Sequence, residues 1–243
     1  APCAERFSPS RTLAGVIVPF AAFWLFDRYG YQFMFLLAAT VAIPVFLVFR
    51  FGFTDVRDHL KHPDRFFATF ARVLVHPSLV HIFIIAFMLQ FFYGWMIVYT
   101  PLHLRDLGIL DRDIGKIFSV MLLPFVLLQY PAGVLADKKW GEKEMLIAGL
   151  AIMGVATLSM YWVHSASLVV WAGLLFATRI GAALLEIMRD TYFFKQIDYR
   201  DLQLMSFFRN TGPLAYMLAP LFATGILFFA EKQVLFLILG IML

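Results

Sequence analysis

The chain has 243 residues, of which 62% are hydrophobic and only 15% are charged, and 28 of them are phenylalanine. A water-soluble globule of this length lacks the interior to bury so much apolar surface, so the composition excludes a soluble domain and favours a lipid bilayer as the solvent. The formal net charge of +4 could suggest nucleic acid, but the basic residues are scattered over short loops. We therefore expect no nucleic-acid partner.

Long apolar runs without a period of two predict membrane-spanning helices. The first two runs are residues 12–26 and 31–51, separated by a polar turn at residues 27–30. The later runs are residues 78–100, 114–135, 145–163, 167–189, 205–230 and 234–243. The last of these ends with the chain. We expect an all-α membrane protein, a polytopic helical bundle with seven complete spans and one truncated span.

Residues 52–77 form the only long hydrophilic interval, and we interpret them as a linker on the cytoplasmic side. Asp64 can cap a short helix there, because the apolar residues that follow it fall on one helical stripe. These residues are Phe66, Phe67, Phe70, Val73 and Leu74. The pattern predicts an amphipathic helix lying on the membrane surface.

Lys and Arg are concentrated in every second loop, which predicts that these loops are cytoplasmic. One of them lies within residues 133–146, which read GVLADKKWGEKEML. The order Gly133, Leu135, Ala136, Asp137, Lys138 and Gly141 resembles the short cytoplasmic loop of the major facilitator superfamily, written G-x-L-A-D-[RK]-x-G-[RK]-[RK]. Trp140 stands where that pattern has its glycine, so the glycine comes one residue late, and Glu142 replaces a basic residue. Residues 29–35, YGYQFMF, are similar to the Gly-Trp-Arg-x-x-Phe signature that opens the sixth helix of this superfamily.

The resemblance implies two pseudo-symmetric halves of six helices, and an internal repeat agrees with it. A shift of the chain by about 201 positions pairs Pro19 with Pro220 and Gln32 with Gln233. We therefore expect residues 1–51 to be the last two helices of an incomplete N-terminal half, and residues 78–243 to be the C-terminal half with its last helix truncated. The chain would then cover helices five to twelve, with the first four N-terminal helices of the same protein as missing partners.

The function implied by the resemblance is secondary active transport of a small-molecule substrate by alternating access, with H+ as the coupling ion, in the plasma (inner) membrane. The alternative is a membrane sensor or an inactive transporter remnant that moves nothing. No Walker, H-E-x-x-H or G-x-S-x-G sequence occurs, and Cys3 is the only cysteine. We therefore predict no enzyme activity, no catalytic residue, no metal site and no cofactor.

Charged residues inside the apolar runs are candidates for the substrate path, because each is costly in a bilayer unless it faces water or a partner. Arg179 and Glu186 lie on nearly the same face of one run, and Arg209 lies near the start of the next. We predict an ion pair between Glu186 and Arg209, with Arg179 deeper and facing a central cavity. The alternative is that Arg209 extends to the lipid headgroups and Glu186 pairs with Arg189 on its own helix.

Three further patterns complete the predicted sites. Gln90, Tyr93, Ile97 and Thr100 fall on one stripe of their helix, and this stripe could line the cavity. The alternative is that the aromatic residues belong to the belt at the membrane interface and that Gln90 is hydrogen-bonded inside the packed bundle. Gly173, Ala177 and Gly181 recur every four residues, which predicts close helix packing. By the resemblance, Gly133, Asp137, Lys138 and Gly141 belong to a gating loop in which Asp137 forms a charge-and-dipole latch, the alternative being a solvated turn that only sets topology.

Overall fold

The computed structural model describes residues 9–52, 66–138, 141–197 and 202–243. All regular structure in these ranges is α-helical, which confirms the predicted all-α class. The helices are α1 (Pro9–Gly52), α2 (Phe66–Val75), α3 (Pro77–Asp106), α4 (Asp111–Met121), α5 (Leu123–Lys138), α6 (Glu142–Met160), α7 (Leu168–Gln196), α8 (Leu202–Leu227) and α9 (Lys232–Met242). The predicted cap at Asp64 lies outside the described residues.

Helix α1 contains the first two predicted runs and breaks between them. Gly30 has a φ of 73° and a ψ of −178°. This left-handed conformation is open to glycine and strained for other residues. The predicted polar turn therefore falls where the helix loses its regular geometry.

One predicted span, residues 114–135, is interrupted in the structure. Helix α4 ends at Met121 and α5 begins at Leu123, with Leu122 between them. Pro124 has no N–H group to continue the ladder of helical hydrogen bonds. The Leu122 and Phe125 N–H groups instead donate to carbonyls three residues earlier, those of Ser119 and Leu122. The expectation of one unbroken helix was wrong at this point.

Helix α3 occupies the centre of the bundle and contacts α7, α8 and α9. Phe83 meets Phe193 near one end of α3 and His103 meets Trp171 near the other, so α3 and α7 run antiparallel. Phe83 also meets Phe208, while Tyr99 bonds to Thr224, so α8 runs parallel to α3.

Helices α6 and α7 approach so closely that their backbones touch. A Cβ atom added at Gly149 would lie 2.9 Å from the Gly181 carbonyl oxygen, and one added at Gly181 would lie 2.7 Å from the Met153 amide nitrogen. The packing role predicted for the small-residue stripe is thus confirmed at Gly181. It is wrong at Gly173, where an added Cβ would meet nothing within 4 Å.

Charged residues cluster at the helix ends and join neighbouring helices. Lys195 at the end of α7 pairs with Glu142 at the start of α6. Lys232 at the start of α9 pairs with Asp106 at the end of α3. Because α3 and α7 are antiparallel, these two ion pairs lie at opposite ends of the bundle.

Four helical segments are long and apolar enough to cross a membrane, by length and composition, among the residues that the structure describes. They are Arg28–Gly52, Pro77–Asp106, Glu142–Met160 and Leu168–Gln196. The short helix α2 packs against α3 and α8, with Val73 buried and Leu74 exposed. The short helix predicted in the linker is therefore present, and its position on a membrane surface stays a prediction.

Candidate functional site

Tyr93 of α3 lies between the two charged residues that α7 carries inside its apolar run. Its hydroxyl donates a hydrogen bond to Glu186 Oε2 at 3.3 Å. Its ring lies 5.0 Å from the guanidinium carbon of Arg179. Seven residues along a helix correspond to a rise of about 10 Å, so Arg179 and Glu186 are too far apart for an easy direct pair. One tyrosine side chain bridges that distance.

The guanidinium group of Arg179 is buried and rests on aromatic rings. The residue is 3% exposed, and its guanidinium carbon lies 5.4 Å from the ring of Phe92 in addition to the contact with Tyr93. Among the described residues Arg179 Nε has no hydrogen-bond partner, and no carboxylate forms an ion pair with this side chain. The ring faces attract the positive charge, at about 0.5–2 kcal/mol each, but they are not conventional acceptors for its N–H groups.

Helix α8 closes the site from a second side. A Cβ atom at Gly94 would lie 3.2 Å from the Ala219 Cβ and 3.3 Å from the Tyr216 Cα, so α3 and α8 are in near backbone contact there. Tyr216, half-exposed, belongs to this contact between the two helices. Tyr216 was not singled out from the sequence, since a tyrosine in an apolar run gives no signal that separates a site from a membrane interface.

Gln90 lies one turn before Tyr93 and faces α8. A Cβ atom at Gly212 would be 3.8 Å from the Gln90 side-chain amide carbon. The predicted stripe is not one continuous lining, however. Ile97 is exposed, and the buried Thr100 hydroxyl donates to the Met96 sulfur of its own helix at 3.5 Å. The structure brings Gln90 and Tyr93 to the centre of the bundle and separates them from the other two.

The predicted ion pair between Glu186 and Arg209 is not formed. Arg209 is exposed on α8 and has no ion pair among the described residues. The pair was predicted because the two residues should lie at a similar depth in the membrane. However, α8 packs along α3 and not along α7, so Arg209 has a different neighbour. The alternative local pair is not formed either, because Arg189 binds the adjacent Asp190 at 2.8 Å.

An aromatic cluster lies between the Glu186 site and the end of the bundle that carries the Glu142–Lys195 pair. The rings of Phe193 and Phe208 are stacked, with centroids 3.8 Å apart and planes 8° from parallel. Phe83 contacts both of them, and the guanidinium carbon of Arg189 lies 5.6 Å from the Phe208 ring. The cluster fixes the ends of α3, α7 and α8 against each other.

His103 is a buried polar residue that sequence reasoning placed at a helix end. It is 4% exposed, its ring packs on Trp171 and Phe236, and its Nε2 has no hydrogen-bond partner among the described residues. Helix α3 continues through Pro101 to Asp106, six residues beyond the predicted end. That extension carries His103 into the bundle.

The residues of the predicted gating loop lie mostly at the end of a helix. Gly133, Asp137 and Lys138 belong to α5, and Gly141 is the residue before the first turn of α6. The side chains of Asp137 and Lys138 lie outside what the structure describes. Glu142, which replaces a basic residue of the pattern, pairs with Lys195 of α7. The described part of the chain has no group of three or more His, Cys, Asp and Glu residues placed to hold a metal ion.

A family comparison agrees with this architecture. The family described as Major Facilitator Superfamily matches residues 82–243, from the first turns of α3 to the end of the chain. The chain therefore belongs to the major facilitator superfamily and is an integral, multi-pass membrane transporter of that type. No curated protein and no solved structure matches it.

Proposed function

We propose that the chain moves a small solute across the membrane by alternating access and that H+ drives the movement. The observation that carries this proposal is the buried arrangement of Arg179, Tyr93 and Glu186 between α3 and α7. Ionisable groups in the middle of a membrane bundle are costly and mark solute and proton pathways. Glu186 is the proposed proton site, because it is the acidic residue of this arrangement and its carboxylate meets a hydroxyl rather than a cation.

Substrate-path roles are proposed for Gln90, Tyr93, Arg179 and Glu186. Each lies where α3 meets α7 or α8, so a small separation of these helices would open the site to one side. Arg209 stands apart from this group. We propose that it acts at the end of α8, outside the path.

We further propose that the end of α5 and the start of α6 form a gate. Asp137 lies in the last turn of α5, where the negative end of the helix dipole disfavours a carboxylate unless a cation or another helix's positive end is near. This supports a latch that breaks when access switches. The Glu142–Lys195 pair lies beside it and ties the same end of α6 to α7.

The domain assignment is also a proposal. Within residues 78–243, five complete crossings and one truncated crossing, α9, follow if α4 and α5 are counted as one interrupted crossing with α3, α6, α7 and α8. Residues 52–77 would then link this half to an N-terminal half that ends with α1, on the cytoplasmic face of the plasma (inner) membrane.

Transport by the full-length native protein tests the proposal. Cells that express it are compared with cells that do not for uptake and release of a panel of metabolites, with and without a protonophore. We expect at least one solute flux that the protonophore abolishes. Glu186→Gln should abolish that flux, whereas Glu231→Gln, a matched change at an exposed carboxylate just before α9, should leave it intact. A ligand-dependent cellular response without any flux would instead support a membrane sensor.

A further inference from the structure

Two arginines on α7 differ in how their charge is balanced. Arg189 lies over an aromatic ring and forms an ion pair with Asp190 at 2.8 Å. Arg179 lies over two aromatic rings and has no ion pair among the described residues. Both are buried, Arg179 more deeply. Among the described residues, one guanidinium group is thus paired with a carboxylate and the other contacts only aromatic rings.

Arg179 has the geometry of a group prepared for an anion. A guanidinium presents five N–H donors in a planar fork that matches the two oxygens of a carboxylate. In the part of the chain that the structure describes, the Nε of Arg179 is buried without an acceptor, and buried donors left in that state cost stability. The guanidinium carbon lies 5.4 Å from the centre of the Phe92 ring and 5.0 Å from that of Tyr93, and Phe125 of α5 adjoins Tyr93 with ring centroids 6.5 Å apart.

We infer that the transported solute is an organic anion whose carboxylate binds Arg179 and whose apolar body packs against the surrounding aromatic rings. This inference rests on the proposed function, since it names the class of substrate for the same site. The surroundings of Arg179 fit a carboxylate with an apolar body: Tyr93 carries a hydroxyl group beside it, and among the described residues no other basic residue contacts the rings of Phe92 and Tyr93.

Glu186 should oppose the anion when it is ionised. Its carboxylate accepts the Tyr93 hydroxyl, and like charges in a bundle interior repel each other strongly. Neutralising Glu186 removes that repulsion, and the Tyr93 hydroxyl, held less strongly by a neutral acceptor, becomes more available to the solute. The two charged residues of α7 should therefore affect anion binding in opposite directions.

Binding of benzoate to the purified full-length protein in detergent tests the inference. Benzamide is the control ligand, because it has the same ring and nearly the same shape without the charge. At constant ionic strength, benzoate should raise the midpoint temperature of unfolding in a saturable way and benzamide should not. Absence of a saturable benzoate shift, or an equal shift with benzamide, overturns the inference.

Four variants assign the effect to its residues. Arg179→Gln should weaken benzoate binding by at least about tenfold, as expected for loss of a charged hydrogen-bond donor. Arg179→Lys keeps the charge without the fork and should weaken it less. Glu186→Gln should strengthen binding. Arg189→Gln removes the paired arginine and should weaken binding much less than Arg179→Gln does. Undiminished binding in Arg179→Gln, or weaker binding in Glu186→Gln, overturns the assignment.

Failure of this inference is distinguishable from failure of the proposed function. Saturable benzoate binding by a protein that transports nothing would leave the anion site standing and remove the transport proposal. Proton-driven flux of a cationic or neutral solute that Arg179→Gln does not change would keep transport and overturn the anion site.

Discussion

The hydroxyl of Tyr93 is the only hydrogen-bond donor that meets the Glu186 carboxylate among the described residues, and their separation of 3.3 Å is long for a bond between two oxygens. We therefore expect this hydrogen bond to contribute little to the stability of the protein. Interhelical polar contacts inside membranes average about 0.6 kcal/mol, well below the cost of leaving a carboxylate unpaired.

Tyr93→Phe should therefore destabilise the protein by about 0.5–1 kcal/mol, because the ring stays on Arg179 and only the hydroxyl is lost. Unfolding by denaturant in mixed micelles measures the change. A double-mutant cycle with Glu186→Ala, which removes the acceptor, should show coupling of similar size. A Tyr93→Phe effect that is the same in the native and Glu186→Ala backgrounds would mean that the two side chains do not interact.

The sequence identifies the residues of this site better than it identifies their partners. Arg179 and Glu186 are visible because charges are rare in apolar runs, and Tyr93 because it belongs to a polar stripe. Which of them meet depends on the neighbours of each helix. Arg209 was assigned to Glu186 from depth alone, and the parallel packing of α8 on α3 could not be derived from one sequence.

At the scale of elements, hydropathy predicts the positions of the helices closely and their ends less well. The run predicted at residues 145–163 is α6 (Glu142–Met160), a shift of one turn or less at each end. Helices α3 and α7 both extend past their predicted ends, because charged residues such as Asp106 and Lys195 continue the helix beyond the apolar run. The break at Leu122 depends on how Pro124 is accommodated, which hydropathy does not report.

The glycine crossing of α6 and α7 gives the sharpest test of helix packing. Gly181→Ala should destabilise the protein by about 1–3 kcal/mol, since the new methyl group overlaps the backbone of α6 at Gly149 and Met153. Gly173→Ala is the matched control on the same helix. Its methyl group meets nothing within 4 Å, so a neutral or slightly stabilising effect is expected from helix propensity.

Thermal unfolding of both variants in the same detergent decides the point. Equal effects of the two substitutions would show that propensity, and not the α6–α7 contact, controls the response. A destabilisation confined to Gly173→Ala would contradict the packing described for α7.

The aromatic cluster makes a second prediction about elements. Phe193 is fully buried and stacked on Phe208, whereas the neighbouring Phe194 is 50% exposed. Phe193→Ala should cost about 3–5 kcal/mol, the usual range for removing a buried ring. Phe194→Ala should cost far less. Unfolding of the two variants by urea or heat measures the difference. An equal loss of stability in Phe193→Ala and Phe194→Ala would contradict the role of the cluster.

At the scale of the whole molecule, ion pairs between helix ends distinguish the two ends of the bundle. The Glu142–Lys195 pair lies at one end, where α6 begins and α7 ends. The Asp106–Lys232 pair lies at the other, near the Arg105–Asp111 pair at 2.5 Å. The bias of Lys and Arg toward cytoplasmic loops then predicts which of the two ends faces the cytoplasm.

Labelling of single cysteines in intact cells tests that orientation. Lys143 and Arg112 are both exposed and lie near opposite ends of the bundle. In a background free of other cysteines, which for this chain requires Cys3→Ser, Arg112→Cys should react with a membrane-impermeant maleimide from outside. Lys143→Cys should react only after the cells are permeabilised.

The physical reason is the cost of moving basic loops across the membrane during insertion, which retains the Lys-rich and Arg-rich ends in the cytoplasm. The reverse labelling pattern would place the gating loop outside the cell, where a latch at Asp137 would close the opposite face of the transporter from the one proposed.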